Sequence, residues 1–158
     1  FLPTRMARSV GQLKAERQQK RLERWGKIIQ SAACQCGQPH LPELQLSSSL
    51  DDSLALVAAD FKLMLWEESA RPLEQLLPKN QPRGVAVLIG PEGGISEEEA
   101  QKAQQAGYQP VSLGPRILRT ETAGLAIVTI LQYLYGDLAK GRCGSDAAPQ
   151  ERMSHEMP

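Results

Sequence analysis

The sequence predicts an α/β domain with a mainly parallel sheet flanked by helices. Three observations carry that prediction. Apolar runs at Val85-Ala86-Val87-Leu88-Ile89 and Val111-Ser112-Leu113 read as strands, each emptying into a loop rich in Gly and Pro. The segment between them is polar and carries the start and stop marks of a helix. Upstream, strand-like and helix-like stretches alternate, giving the order β, α, β, α, β, short α, β, α, β, α. Parallel neighbours need crossovers of this kind, and ligands in open α/β sheets sit past the carboxyl ends of the strands.

Each element has its own signals. Phe1-Leu2-Pro3 reads as the end of a strand, and a polar link leads to a long helix over residues 14–36. There Leu22, Trp25, Ile29, Ala32, Ala33 and Cys36 recur at three- and four-residue intervals as one stripe for burial, closed by Gly37. Trp25 on that stripe is a core residue rather than a platform for stacking bases. A short strand near Glu43 to Leu46 precedes a small helix capped by Ser49 or Asp51 and carrying Leu54 and Val57. Asp60 to Leu65 is the next strand and runs out into Trp66-Glu67-Glu68-Ser69. Pro72 suits the first turn of a short helix, and Pro78 to Arg83 is a loop.

The helix after Ile89 is the best marked. Ser96 is its N-cap, Glu99 completes a capping box, Ile95 and Ala100 form a hydrophobic staple, and Gly107 ends it. Glu97 and Glu98 complement the helix dipole, so the acidic run has a structural explanation. A last helix opens with Thr120 as N-cap and sets Ala123, Ala126, Ile127, Ile130, Leu131 and Leu134 on one face, for a core or a subunit interface. Past residue 138 the chain turns polar and aperiodic, and residues 141–158 are expected to be a disordered tail.

Composition sets bounds. A chain of 158 residues with 41 % hydrophobic content suffices for one domain with a sizeable core, and its formal net charge of zero gives no global argument for nucleic acid. Locally, Arg5, Arg8, Lys14, Arg17, Lys20, Arg21, Arg24 and Lys27 face only Glu16 and Glu23, which supplies either phosphate contacts or a solvated helix face. No apolar run reaches the length of a membrane span and no signal-peptide pattern opens the chain, so a cytoplasmic protein without membrane association is expected. Cys34, Cys36 and Cys143 are odd in number, and Cys34-x-Cys36 is too close for the usual zinc spacing. With only His40 and His155 besides, reduced thiols and no metal are expected.

Two loops hold the chemistry. Gly90-Pro91-Glu92-Gly93-Gly94 lacks both the GK[ST] ending of a P-loop and the GxGxxG spacing, so it suits a nucleoside ligand without phosphates, or is simply a tight turn. The second, Leu113-Gly114-Pro115-Arg116-Ile117-Leu118-Arg119-Thr120-Glu121-Thr122, sets two arginines and a carboxylate beside open backbone.

IGPEGG, then a helix, then LGPRILRTETA resembles the signature of the RsmE family, the 16S ribosomal RNA uridine N3-methyltransferases of the SPOUT superfamily. The resemblance extends upstream through Leu22-Glu23-Arg24-Trp25-Gly26-Lys27-Ile28 and Ala32-Ala33-Cys34-Gln35-Cys36-Gly37 to Pro42-Glu43, covering residues 1–138. It implies a C-terminal trefoil knot, a homodimer, and transfer of a methyl group from S-adenosyl-L-methionine to N3 of a uridine in small-subunit ribosomal RNA. Backbone around Gly90, Leu113, Ile117 and Leu118 would read adenine and ribose, with Leu65, Glu92, Gly93, Gly114 and Thr122 completing the cofactor set. Arg119 would stabilise the uridine anion, Arg116 would anchor cofactor or RNA phosphate, and Glu121 would orient an arginine or accept the proton. The plain alternatives are an Arg119–Glu121 pair across the helix start and a Glu92 that buttresses its own loop.

The chain departs from the family at Gln38 and His40, positions often basic in relatives, and is expected to lack the PUA-like domain and the first strand and helix of the methyltransferase domain. A non-catalytic RNA-binding or assembly module with a knotted fold is the alternative function. An unrelated nucleotide-binding α/β protein is a further one, weakened by the missing P-loop lysine.

Overall fold

Three parallel strands carry the molecule. In the computed structural model the described residues are 1–9, 15–69 and 71–140, the side chains of residues 15 and 16 excepted, so the expected tail at 141–158 lies outside them. Strand β1 (Phe61–Leu65) is central, flanked by β2 (Val85–Ile89) and β3 (Gln109–Val111). Leu65 is level with Ile89 on one side and Val111 on the other, so all three strands end in one row. Alternation along β1 divides the core in two. Phe61 and Leu63 pack with Val111, Ile127 and Leu131, whereas Met64 packs on the opposite face with Met6, Leu50, Ile95 and Tyr108. Burial on both faces is what a central parallel strand requires.

Helices α1 (Ala15–Cys36), α2 (Leu50–Leu56), α3 (Glu97–Gln105) and α4 (Thr120–Tyr135) complete the order among the described residues, with a 3₁₀ turn at Leu73–Gln75 between β1 and β2. Helix α3 is the crossover from β2 to β3 and forms as its signals predict. Ser96 accepts from the Glu99 N–H while Glu99 reaches back to the Ser96 N–H. At the other end Gly107 sits at φ 88°, and N–H groups of Gly107 and Tyr108 satisfy the carbonyls of Gln104 and Ala103, both at 2.9 Å. Ile95 and Ala100, the staple pair, are buried in the same cluster. Ser49 rather than Asp51 caps α2, accepting from the Asp52 N–H at 3.1 Å. Asp51 instead pairs with Lys102 of α3 at 2.8 Å, an exposed bridge that contributes roughly 0 to 1 kcal/mol.

Several expectations shift. Strand β3 is Gln109–Val111 and not Val111 to Leu113, because Leu63 to Leu65 of β1 draw Gln109 to Val111 alongside. Pro110 is tolerated there because β3 is an edge strand. Ser112 bridges to Pro72 instead, which holds Pro72 in extended backbone ahead of the 3₁₀ turn rather than within it. Thr120 is the first helical residue of α4, and Arg119 is the N-cap, since the Arg119 carbonyl takes the first intrahelical bond, from Ala123 N–H at 2.7 Å. The two upstream strands reduce to one parallel bridge, Thr4 to Ser47, with Gln45 N–H on the Phe1 carbonyl at 3.0 Å. Of the α1 stripe only Ala33 is buried; Leu22, Trp25 and Ile29 are half-buried, and Ala32 and Cys36 are exposed. Periodicity sets which face of α1 turns inward, not how much protein stands behind it. On α4, Ala123, Ile127 and Leu131 face the sheet, while Ile130 and Leu134 are on the open side. Among the described residues no helix is long and apolar enough to cross a membrane.

Glu99 joins distant parts of the chain. Its carboxylate accepts from the Ser96 N–H at 3.1 Å, the Ser96 hydroxyl at 2.9 Å and the Ala7 N–H at 2.7 Å. Burial pushes its pKa up, but these hydrogen bonds and the nearby Arg8 cation together outweigh burial and hold it below the ordinary value. A depressed folded pKa contributes stability that is present above the unfolded value and lost as pH falls through the folded one. Glu99→Ala is expected to lower stability by about 1 to 3 kcal/mol near neutrality and to flatten its decline as pH falls through and below the ordinary glutamate range, measured by urea unfolding. An acid decline unchanged in the variant would place the sensitivity elsewhere.

Candidate functional site

Because Leu65, Ile89 and Val111 end level, three loops leave one edge of the sheet together. They enclose a cleft of about 1100 Å3. That is at or above the roughly 300–1,000 Å3 usual for small-molecule sites, enough for one ligand and part of a second. The three strand-end side chains and Ala123 of α4 line it, with Leu113, Ile117 and Leu118 adding apolar wall. Glu67, Glu92, Arg116, Arg119 and Glu121 bring charge.

The first loop is glycine-rich mainly for packing. Its turn closes with the Gly94 N–H on the Pro91 carbonyl at 2.9 Å, and Gly94 holds φ 76°. A Cβ on Gly90 would stand 2.7 Å from Ile95 Cγ1, and one on Gly93 would stand 2.9 Å from Arg8 Cβ. Arg8 donates from Nη1 to the Gly93 carbonyl at 3.1 Å. The N-terminal segment is thereby fastened to the outside of this loop. In the second loop Ser112 is fixed by its N–H on the Arg71 carbonyl at 2.8 Å. Gly114 takes φ 106°, and a Cβ there would meet nothing within 4 Å. Its backbone is therefore open to an approaching ligand.

Of the residues the sequence points to, Leu65, Gly90, Glu92, Leu113, Gly114, Arg116, Ile117, Leu118, Arg119 and Glu121 line the cleft. Gly93 and Thr122 do not: Gly93 is turned to Arg8, and Thr122 is exposed on the first turn of α4 while Ala123 faces inward. Arg116, Arg119 and Glu121 are exposed, and among the described residues the ion pair is Lys102 with Asp51, so Arg119 and Glu121 do not pair across the helix start. Trp66, Ser69, Pro72 and Ser112 line the cleft without having been singled out as binding residues. The signal for them was topological, since the loop after β1 leaves the same edge as the other two. Among the described residues no group of three or more His, Cys, Asp or Glu is placed to hold a metal ion, and Cys34 and Cys36 are free and exposed.

Gly90 gives a direct test of the packing. Gly90→Ala is expected to destabilise by about 1 to 3 kcal/mol, because the added methyl must displace the buried Ile95 or the turn behind it. Gly107→Ala, with open space but positive φ, should cost about 1 to 2 kcal/mol from backbone strain alone. Urea unfolding checks both. A neutral Gly90→Ala would contradict the close approach.

Residues 1–132 match the RNA methyltransferase domain family. Ribosomal RNA small subunit methyltransferase E of Bacillus subtilis is 35 % identical over 141 residues, which is 84 % of this chain and 55 % of that protein. The crystal structure of ribosomal RNA small subunit methyltransferase E from Neisseria gonorrhoeae bound to S-adenosyl methionine is 39 % identical, with a TM-score of 0.76 over 86 % of this chain and 56 % of that one. A putative methyltransferase from Legionella pneumophila, in complex with the same cofactor, is 36 % identical with a TM-score of 0.78, covering 84 % of this chain and 54 % of that one. The chain thus spans about half the length of these relatives. A match over residues 1–132, on a parallel sheet with a loop-built cleft at its carboxyl edge, means that the chain belongs to the RNA methyltransferase domain family.

Proposed function

We propose that this chain carries the S-adenosyl-L-methionine-dependent site of a methyltransferase acting on N3 of a uridine in 16S ribosomal RNA. The observation that carries the reading is the convergence of all of LGPRILRTE on one cleft with the GPEGG loop, supported by the similarity to a ribosomal RNA small subunit methyltransferase E bound to S-adenosyl methionine. The residues fit such a cofactor. Apolar walls from Leu65, Leu113, Ile117 and Leu118 suit an adenine, and the open backbone at Gly114 admits close contact. Backbone groups at Gly90, Leu113, Ile117 and Leu118 read adenine and ribose, and Glu92 contributes from the first loop.

When bound, the cofactor supplies an electrophilic methyl group on sulfonium sulfur. What the chain must add is control of the uridine. N3 loses its proton before or during attack, and negative charge spreads to the two flanking carbonyl oxygens. Arg119, exposed in the cleft and free of any carboxylate partner among the described residues, donates to that charge. Arg116 anchors an RNA or cofactor anion, and Glu121 orients an arginine or takes the N3 proton.

The same reading assigns a SPOUT-type trefoil knot involving α4, a cytoplasmic setting with ribosomal RNA or the small subunit as partner, and a homodimer. On α4, Leu125, Val128 and Tyr133 are 73 %, 49 % and 63 % exposed, and Ile117 at the cleft is 79 % exposed, an apolar surface that suits a second copy.

Incubation of the chain with small ribosomal subunits and labelled S-adenosyl-L-methionine, followed by nucleoside digestion, should yield N3-methyluridine; its absence would overturn the reading. Arg119→Ala should lower turnover by about 100-fold to 1,000-fold while leaving the unfolding transition unchanged. A variant with near-native turnover would remove Arg119 from the mechanism.

A further inference from the structure

Helix α1 is asymmetric in charge. On a helical projection Arg17, Lys20, Arg21, Arg24 and Lys27 fall within an arc of about 120° and span roughly 15 Å along the axis. All five are exposed. The opposite side holds Leu22, Trp25 and Ile29, half-buried, and Ala33, buried, so the cations occupy the more exposed side of the helix. From residue 17 to residue 36 the one acid is Glu23, and its side chain accepts from Gln19 Nε2 at 3.3 Å. None of the five cations forms an ion pair among the described residues, although the chain as a whole carries as many acids as bases. Charge has been segregated here, not neutralised. Along the ridge a shallow groove of about 450 Å3 is lined by Lys20, Glu23, Arg24, Lys27, Ile28 and Ser31.

The ridge begins a short stretch of chain after a residue that touches a cleft loop. Arg8 touches the outside of the GPEGG loop at Gly93, and Ser9 is six residues before Ala15, the start of α1. Six residues reach at most about 22 Å, so the helix begins within that distance of the segment fastened to the cleft loop. Even at the spacing of a single strand of B-form DNA, about 3.4 Å per charge along the axis, a cationic row of this length faces several phosphates at once.

We propose that the outward face of α1, from Arg17 to Lys27, is a docking ridge for the phosphodiester backbone of RNA, engaging the strand that flanks the uridine held in the cleft. The inference rests on the RNA-directed reading above but concerns a separate surface. A lipid surface is the less suitable partner, because a helix lying on a membrane buries its apolar face there, and here that face is already half-buried or buried while the exposed side is cationic.

The test is fluorescence anisotropy of the 158-residue chain with a fluorescein-labelled RNA stem-loop across a salt series. Lys20→Ala/Arg24→Ala/Lys27→Ala is compared with Lys79→Ala/Arg83→Ala, which removes exposed cations before β2. The ridge variant should lose about tenfold or more in affinity, and its slope of log K against log salt should be shallower by about 2 to 3, while the control variant stays near wild type. Lys20→Arg/Lys27→Arg should keep the wild-type slope, which separates lost charge from lost fold. Calorimetric binding of S-adenosylhomocysteine should be unchanged in the ridge variant, so failure of the ridge and failure of the cleft are told apart. An unchanged slope in the ridge variant, an equal loss in the control, or tighter binding of phosphatidylserine vesicles than of RNA would each overturn the proposal.

Discussion

The register of the three parallel strands is the constraint on which the rest depends. β1 is paired on both sides, and Leu63 and Met64 are fully buried on opposite faces. A slip of one residue would exchange those faces and drive each side chain into the wrong layer. The packing therefore locks Leu65, Ile89 and Val111 into one row. From that row come three loops on one edge, and from the loops a cleft with an apolar floor and a charged rim. Gly124 allows α4 to lie against the same edge, since a Cβ there would approach Ile89 Cδ1 to 3.3 Å.

A second tie runs between the chain's start and the cleft. Glu99 caps α3 and also accepts from the Ala7 backbone, and the next residue, Arg8, reaches the Gly93 carbonyl. One carboxylate thus joins a helix terminus, the N-terminal segment and, through its neighbour, the first loop. Stability and site geometry share this contact, so loosening it would disturb both. Two glycines of the first loop serve packing, Gly90 against Ile95 and Gly93 against Arg8, which explains why a motif that resembles a ligand cradle turns Gly93 away from the cleft.

What could be read from the sequence was what local chemistry determines. The β2 boundaries, the capping box at Ser96 and Glu99 and the Gly107 terminus each depend on residues within a few positions, and each stands as expected. β3 was displaced because its limits are set by its partner strand, forty-odd residues upstream, and Pro110 hides the pairing. Along α1 the hydrophobic period gives direction without depth, so of the stripe only Ala33 is buried. In the cleft, the two motif-bearing loops are visible in their composition; the loop after β1, with Trp66, follows from the family resemblance, and Ser112 from topology. No period or spacing indicates a knot, and the proposed SPOUT-type path of α4 rests on the resemblance of the two motif loops alone.

Calorimetric titration of the chain with S-adenosylhomocysteine, alongside Leu118→Asp, tests the central claim most directly. Leu118 is a half-buried residue of the cleft wall, and a carboxylate there should repel an adenine without unsettling the sheet. Saturable binding at one site per chain, lost in Leu118→Asp with the unfolding transition intact, is the result the account requires. A folded chain that takes up no S-adenosylhomocysteine, or a Leu118→Asp variant that binds it as tightly as wild type, would contradict the assignment of the cleft.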